Sequence, residues 1–289
     1  MKIKSCLAIL AMLVSVSYGL NVDGFRPDKV VVYKTVGEVE LKMHIFNPAG
    51  LKASDKRPAI VFFFGGGWVN GNPTQFFPHC KYLATRGMVA ASAEYRIKNK
   101  HQTTPKECVK DGKSAVRWIR AHAGELGVDP KRIAAGGGSA GGHVAAVTAT
   151  VKGFEEAGED KNVSCRPDAL VLFNPVIDNG PNGAGHEKVK DYWRQISPMH
   201  NISKRTPPTI VFLGTQDKII PVATAEKYKE LMEAKGRRCE LRLYDGRKHG
   251  FFNYRGDMKD YNATMIEADK FLASLGYIEG EPKMKNESR

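Results

Sequence analysis

An α/β architecture is expected for this chain: a mostly parallel sheet of eight strands, led by an antiparallel hairpin, with helices on both faces. Three observations carry that expectation. Short, continuously apolar runs recur along the chain, and such runs suit parallel strands buried on both sides. Amphipathic segments of helical period alternate with them. The first two strand-like segments differ, showing partial alternation and meeting at a glycine, as a hairpin at a sheet edge does.

Taken in order, residues 1–19 read as a signal peptide. Lys2 and Lys4 precede an apolar run over residues 6–16, and small residues follow at Ser17 and Gly19, where cleavage is expected. The run is shorter than the roughly 20 residues a membrane-spanning helix needs, and no later stretch is long enough. The chain is therefore expected to be secreted or periplasmic. Residues 29–35 and 38–45 form the hairpin around Gly37. Buried strands are expected at 59–64, 88–93, 132–135, 169–173 and 209–213, with an eighth at 239–244. Between them, Thr104 and Pro105 open a helix whose Cys108, Val109, Gly112, Ala115, Val116 and Ile119 share one face. A helix over 223–235 is bounded by Pro221 and Gly236, and a last one carries Tyr261, Met265, Ala268, Phe271 and Leu272 to Gly276. Residues 20–278 thus make one domain, and 279–289 a polar tail. Residues 174–205, rich in Asn, Gly, Pro and His, break the alternation; a loop this long is expected to act as a lid or substrate loop.

Composition narrows the partners. A formal net charge of +13 favours approach of acidic polymers. The basic residues are scattered and no nucleic-acid motif is present, so no nucleic-acid partner is expected. Cys80, Cys108, Cys165 and Cys239 follow the signal segment. An exported chain permits disulfides among them, and a core of this size does not require them. No Cys-x-x-Cys or paired-His spacing calls for a metal, and no cofactor is expected. The oligomeric state is left open.

The chemistry concentrates in residues 131–143, KRIAAGGGSAGGH. Gly137-Gly138-Ser139-Ala140-Gly141 is a Gly-x-Ser-x-Gly between a buried strand and a helix expected over 143–151, the context in which such a serine is a nucleophile. A phosphate-binding glycine loop would need Gly-Lys-Ser/Thr, which is missing. Serine needs a base, and the base an acid. C-terminal to Ser139 stand His186, His200 and His249. His249 lies in a loop after the last strand, whereas His186 and His200 fall in the 174–205 segment. Asp217 follows the strand at 209–213 and is the expected acid, with Asp178, after the preceding strand, as its rival. Gly65-Gly66-Gly67-Trp68 closes the third strand. Backbone N–H groups of Gly66, Gly67 and Ala140 are candidates for an oxyanion hole, and Trp68 either walls the acyl pocket or packs.

Together FFFGGGW, AEYR, GGGSAGG, GTQDKIIPV and GRKHGFF resemble the α/β-hydrolase superfamily, especially its hormone-sensitive-lipase-like and acetyl-xylan-esterase-like carbohydrate esterases, over about residues 30–276. The resemblance implies the α/β-hydrolase fold and a serine esterase working through an acyl-enzyme. It further implies a small or oligosaccharide ester as substrate, such as acetylated xylan fragments. It also implies structural roles for Glu94-Tyr95-Arg96 and for Asp111. Phe64 stands where the lipase-like family places a histidine, so the loop keeps its backbone donors without that side chain's support. A prolyl-oligopeptidase-like peptidase shares such a domain but usually carries a propeller, and only about 28 residues precede the first strand. An acylformamidase and a non-catalytic binding protein on the same fold are the other readings. The first would need no signal peptide, and the second would normally have lost one of the three residues.

Overall fold

Strand β1 (Lys29–Val36) turns through Gly37, whose φ of +58° suits glycine, into β2 (Val39–Phe46), and the two pair antiparallel. The computed structural model describes residues 24–284; the expected signal segment 1–19 and residues 285–289 of the tail lie outside the described residues. After β3 (Arg57–Phe63) come α1 (Phe77–Thr85), β4 (Val89–Ala93), the single turn α2 (Lys98–His101) and α3 (Pro105–Ala121). Then follow β5 (Val128–Gly138), α4 (Ala140–Thr150), β6 (Ala169–Phe173) and the short α5 (Trp193–Ile196). The chain closes with β7 (Thr209–Gly214), α6 (Val222–Ala234), β8 (Cys239–Tyr244) and α7 (Met258–Ser274).

All eight strands form one sheet in the order β1-β2-β4-β3-β5-β6-β7-β8. β2 also runs antiparallel to β4, and every pair from β4 onward is parallel. Helices cover both faces, which is why β4, β6 and β7 are buried along their whole length and read as unbroken apolar runs. The pleat splits β3 between two cores. Val61 and Phe63 pack with Val144 of α4 and Val116 of α3, while Ile60 and Phe62 pack with Leu83 of α1 and Leu272 of α7. Edge strand β8 is only partly covered and carries charge at Glu240 and Arg242.

Several boundaries differ from those read in the sequence. β5 is longer than the apolar run 132–135. It starts at Val128, which pairs with Arg57, and continues through Gly136, where a Cβ would stand 2.6 Å from the Phe62 ring. α4 begins at Ala140, three residues before the expected start, because the glycines that signal a loop are needed there for close packing. α1 had no clear signature: it is short, has a proline in its first turn and is buried almost throughout. Helix α3 begins as expected, with Thr104 and Glu107 forming a capping box. The four cysteines Cys80, Cys108, Cys165 and Cys239 are free thiols.

The AEYR motif braces the C-terminal ends of β3 and β4. Tyr95 donates its hydroxyl to the Phe64 carbonyl at 2.6 Å. The Arg96 guanidinium grips the fully buried Asp111 carboxylate at 2.7 and 2.8 Å, and Lys34 adds a bond of 2.7 Å. A buried carboxylate with two cations holds β1, the end of β4 and α3 together, and losing one partner of such a group costs about 3–5 kcal/mol.

Candidate active site

The turn between β5 and α4 holds Ser139 in a rare conformation, φ 54° and ψ −119°. Such strain costs about 1–3 kcal/mol and persists only where its surroundings enforce it. They do so here: the Ser139 N–H donates to Phe173 O at 3.0 Å, and Ser139 O accepts from His143 and Val176. A Cβ on Gly141 would stand 2.0 Å from the Phe63 carbonyl oxygen, so only glycine lets α4 approach β3 this closely. Ala140 is the first residue of α4, so its N–H has no acceptor within the helix. The helix N-terminus favours negative charge developing beside Ser139.

The structure brings Ser139, His249 and Asp217 into one hydrogen-bonded chain. His249 Nε2 lies 2.9 Å from Ser139 Oγ, and its Nδ1 lies 2.7 Å from Asp217 Oδ2. Facing a carboxylate, Nδ1 carries the proton and Nε2 is left to accept the serine hydroxyl. Asp217 Oδ1 accepts from the N–H groups of Ile219 and Ile220 at 2.8 and 2.9 Å. Burial opposes a charged carboxylate, but the His249 bond and these two N–H groups outweigh it, and the Asp217 carboxyl sits below the usual aspartate range. The rival Asp178 is engaged elsewhere, accepting from Gly180 N at 2.7 Å and standing 3.8 Å from His200. His186 and His200 are held within the 174–205 segment, bonded to Asn179 O and Ser197 Oγ.

Gly66 and Gly67 line the same cavity as Ser139, His249 and Trp68; it measures about 350 Å³. Both glycines have positive φ, and a Cβ on Gly66 would stand 2.2 Å from Asn70 O. Trp68 both packs and lines the cavity. Only 3 % exposed, it meets His143 edge-on at 5.0 Å and leaves room for no side chain at Gly185. From 174–205 the cavity takes Asn174, Val176, Ala184, Gly185 and Lys188. Among the described residues, no group of His, Cys, Asp or Glu is placed to hold a metal ion.

Three polar side chains at the site carry no sequence signal. Asn174, at φ 33° just after β6, accepts from Gly250 N at 2.9 Å and aims Nδ2 at His249 Nε2 from 3.4 Å. Gln75 accepts from Gly65 N at 2.7 Å and donates to Asn253 Oδ1 at 2.8 Å, while Asn253 donates to Gly250 O. The glycine loop and the His249 loop are thereby tied together across 178 residues of sequence. No periodicity or motif marks such a link; Asn174, before Pro175 at a strand end, reads only as a turn.

Chemically, the arrangement can withdraw a proton from Ser139 Oγ while backbone N–H groups accept charge on an oxygen beside it. The family model BD-FAE matches residues 43–182, and the Dienelactone hydrolase family model matches residues 167–274. Over 88% of this chain and 96% of the other, the fold superimposes on the apo form of esterase 2 from Thermogutta terrifontis, with a TM-score of 0.85 and 46% sequence identity. The chain belongs to the α/β-hydrolase superfamily of esterases. Within that superfamily it is 27% identical to a probable isoprenylcysteine alpha-carbonyl methylesterase of Arabidopsis thaliana, over 67% of this chain and 45% of the relative. It is 28% identical to an acetylxylan esterase of Xylanibacter ruminicola, over 67% and 41%. The chain spans about half the length of the curated relatives it matches.

Proposed function

We propose that this superfamily member hydrolyses carboxylic esters of short acyl chains through an acyl-enzyme on Ser139, acting on carbohydrate esters such as acetylated xylan fragments. The observation that carries the chemistry is the unbroken chain Asp217–His249–Ser139, with contacts of 2.7 and 2.9 Å, beside the Gly66-Gly67 loop. Ser139 Oγ attacks the acyl carbon as its proton passes to His249 Nε2. Asp217 stabilises the imidazolium, and the N–H groups of Gly66, Gly67 and Ala140 receive the oxyanion. Collapse expels the alcohol, which takes the proton from His249. Water, deprotonated by the same imidazole, then releases the acid.

Esterase 2 of Thermogutta terrifontis has been seen phosphorylated by paraoxon, and with propionate or butyrate bound. This supports a reactive serine and a short acyl group here. The carbohydrate alcohol is supported by the likeness to the acetylxylan esterase and by the polar lining that Gln75, Asn174 and Asn253 give the cavity. Export through residues 1–19 would bring the enzyme to such polymers. The test is a fluorophosphonate probe with a panel of esters from acetate to decanoate plus acetylated xylan. Covalent labelling that Ser139→Ala abolishes, with turnover reduced by several orders of magnitude, is the expected result. Undiminished turnover in that variant would end the serine-esterase reading, and turnover of simple acetates but of no acetylated sugar would end the carbohydrate reading.

A further inference from the structure

Among the described residues, Lys188 is the one side chain besides the candidate base His249 that lines the 350 Å³ cavity and can carry charge. It ends the 3-10 turn His186–Lys188 in the segment over the site. Its Nζ donates to Gly67 O at 3.0 Å and lies 5.7 Å from the Trp68 ring centroid. An ammonium has three donors, and this anchor uses one. Among the described residues no carboxylate pairs with Lys188; the neighbouring Glu187 turns to Lys190 at 4.0 Å. Among the described residues no acid lines the cavity, and Asp217, which stands behind His249, has a fully buried side chain occupied by it. The cavity therefore presents a cation, held in place and short of a partner, with no opposing acid on its wall. A net charge of +13 on the whole chain adds attraction for anions at longer range.

We propose that Lys188 makes this site select esters bearing a carboxylate close to the scissile bond, as an acetylated uronic acid or the half-ester of a dicarboxylic acid does. The inference rests on the ester-hydrolase reading and adds a substrate class to it. A tethered ammonium gives a charge-assisted hydrogen bond to a carboxylate at little cost in side-chain order, and the neutral analogue forgoes it. The alternative role for Lys188 is to brace the Gly67 carbonyl, which would serve every ester equally.

Two matched pairs of substrates distinguish the roles, and also the side on which the carboxylate sits. For the alcohol side, an acetylated galacturonic acid is compared with its methyl ester. For the acyl side, mono-4-nitrophenyl succinate is compared with 4-nitrophenyl butanoate. The quantity read is the ratio of kcat/KM, anionic over neutral, in wild type, Lys188→Met and the off-site control Lys190→Met. The expected result is a wild-type ratio of about ten or more in one pair, lost in Lys188→Met and kept in Lys190→Met. A wild-type ratio near one in both pairs would overturn the proposal. So would a preference that survives Lys188→Met, or constants for neutral and anionic esters that fall together in that variant. If wild type hydrolysed the neutral esters normally, only the carboxylate selection would fail; no turnover of any ester would remove the underlying reading as well.

Discussion

Replacing Asp217 by asparagine probes the proposed mechanism at a group that never touches substrate. The carboxylate accepts three hydrogen bonds, from His249 Nδ1 at 2.7 Å and from Ile219 and Ile220 N–H at 2.8 and 2.9 Å. Asparagine keeps Oδ1 for the two N–H groups, so the loop after β7 should hold its shape and the melting temperature should fall by only a few degrees. The other oxygen becomes an NH2 group that donates toward Nδ1. The imidazole then moves its proton to Nε2, which faces Ser139 Oγ at 2.9 Å, and the base is lost. A tautomer of the wrong kind costs about 10⁴ in kcat, equivalent to roughly 5 kcal/mol of barrier. The assay is kcat on 4-nitrophenyl acetate beside Asp178→Asn, whose carboxylate binds Gly180 N and reaches no part of His249. Asp178→Asn should change kcat by less than tenfold. A larger loss in Asp178→Asn than in Asp217→Asn would refute the reasoning, since the acid would then act from the segment after β6.

Other predictions follow from burial and from the loop contacts. In wild type, kcat/KM should decline from acetate through butanoate to decanoate if the Trp68 ring that lines the cavity walls it off against longer chains. Each methylene a fitting pocket buried would instead add about 0.8 kcal/mol. Trp68→Phe, milder than alanine for a residue 3 % exposed, should flatten the decline, and constants rising through octanoate would contradict the role given to the ring. His79 and His143 are buried, which pushes their pKa values down to about 3 and about 4. The unfolded chain takes up these two protons near pH 6.5, and the folded chain does not. Stability should therefore be complete above about pH 6.5 and be lost as pH falls, with a slope approaching roughly 3 kcal/mol per pH unit near pH 5. Urea unfolding at pH 7.5 and 5.5 measures it, and His79→Phe should roughly halve the slope. Gln75→Ala strands the N–H of Gly65 and the Oδ1 of Asn253. It should cost roughly 1–3 kcal/mol of stability and lower kcat more than it raises KM; unchanged kcat would show that the glycine loop holds without this link.

Much of this protein was legible from local chemistry. The buried strands announced themselves because helices cover both faces of the sheet, and a strand covered twice must be apolar at every position. The nucleophile turn was legible because its constraint is also local: a strained serine between a strand and a helix tolerates only small neighbours, and Gly137, Gly138 and Gly141 record that. Ser139, Asp217 and His249 could be named as candidates because each follows a strand in the order the fold family uses. What chain order could not supply was distance. Only the packed sheet brings a serine after β5 within 2.9 Å of a histidine after β8, and turns Asp178 toward Gly180 and His200 instead. Helix α1 stayed hidden because, once buried nearly all round, it has no polar face to give it a period. Gln75, Asn174, Asn253 and Lys188 stayed hidden for a related reason. A hydrogen bond between residues 75 and 253, or from Lys188 to Gly67, leaves no spacing in the sequence, because the partners are set by how the loops converge above the sheet.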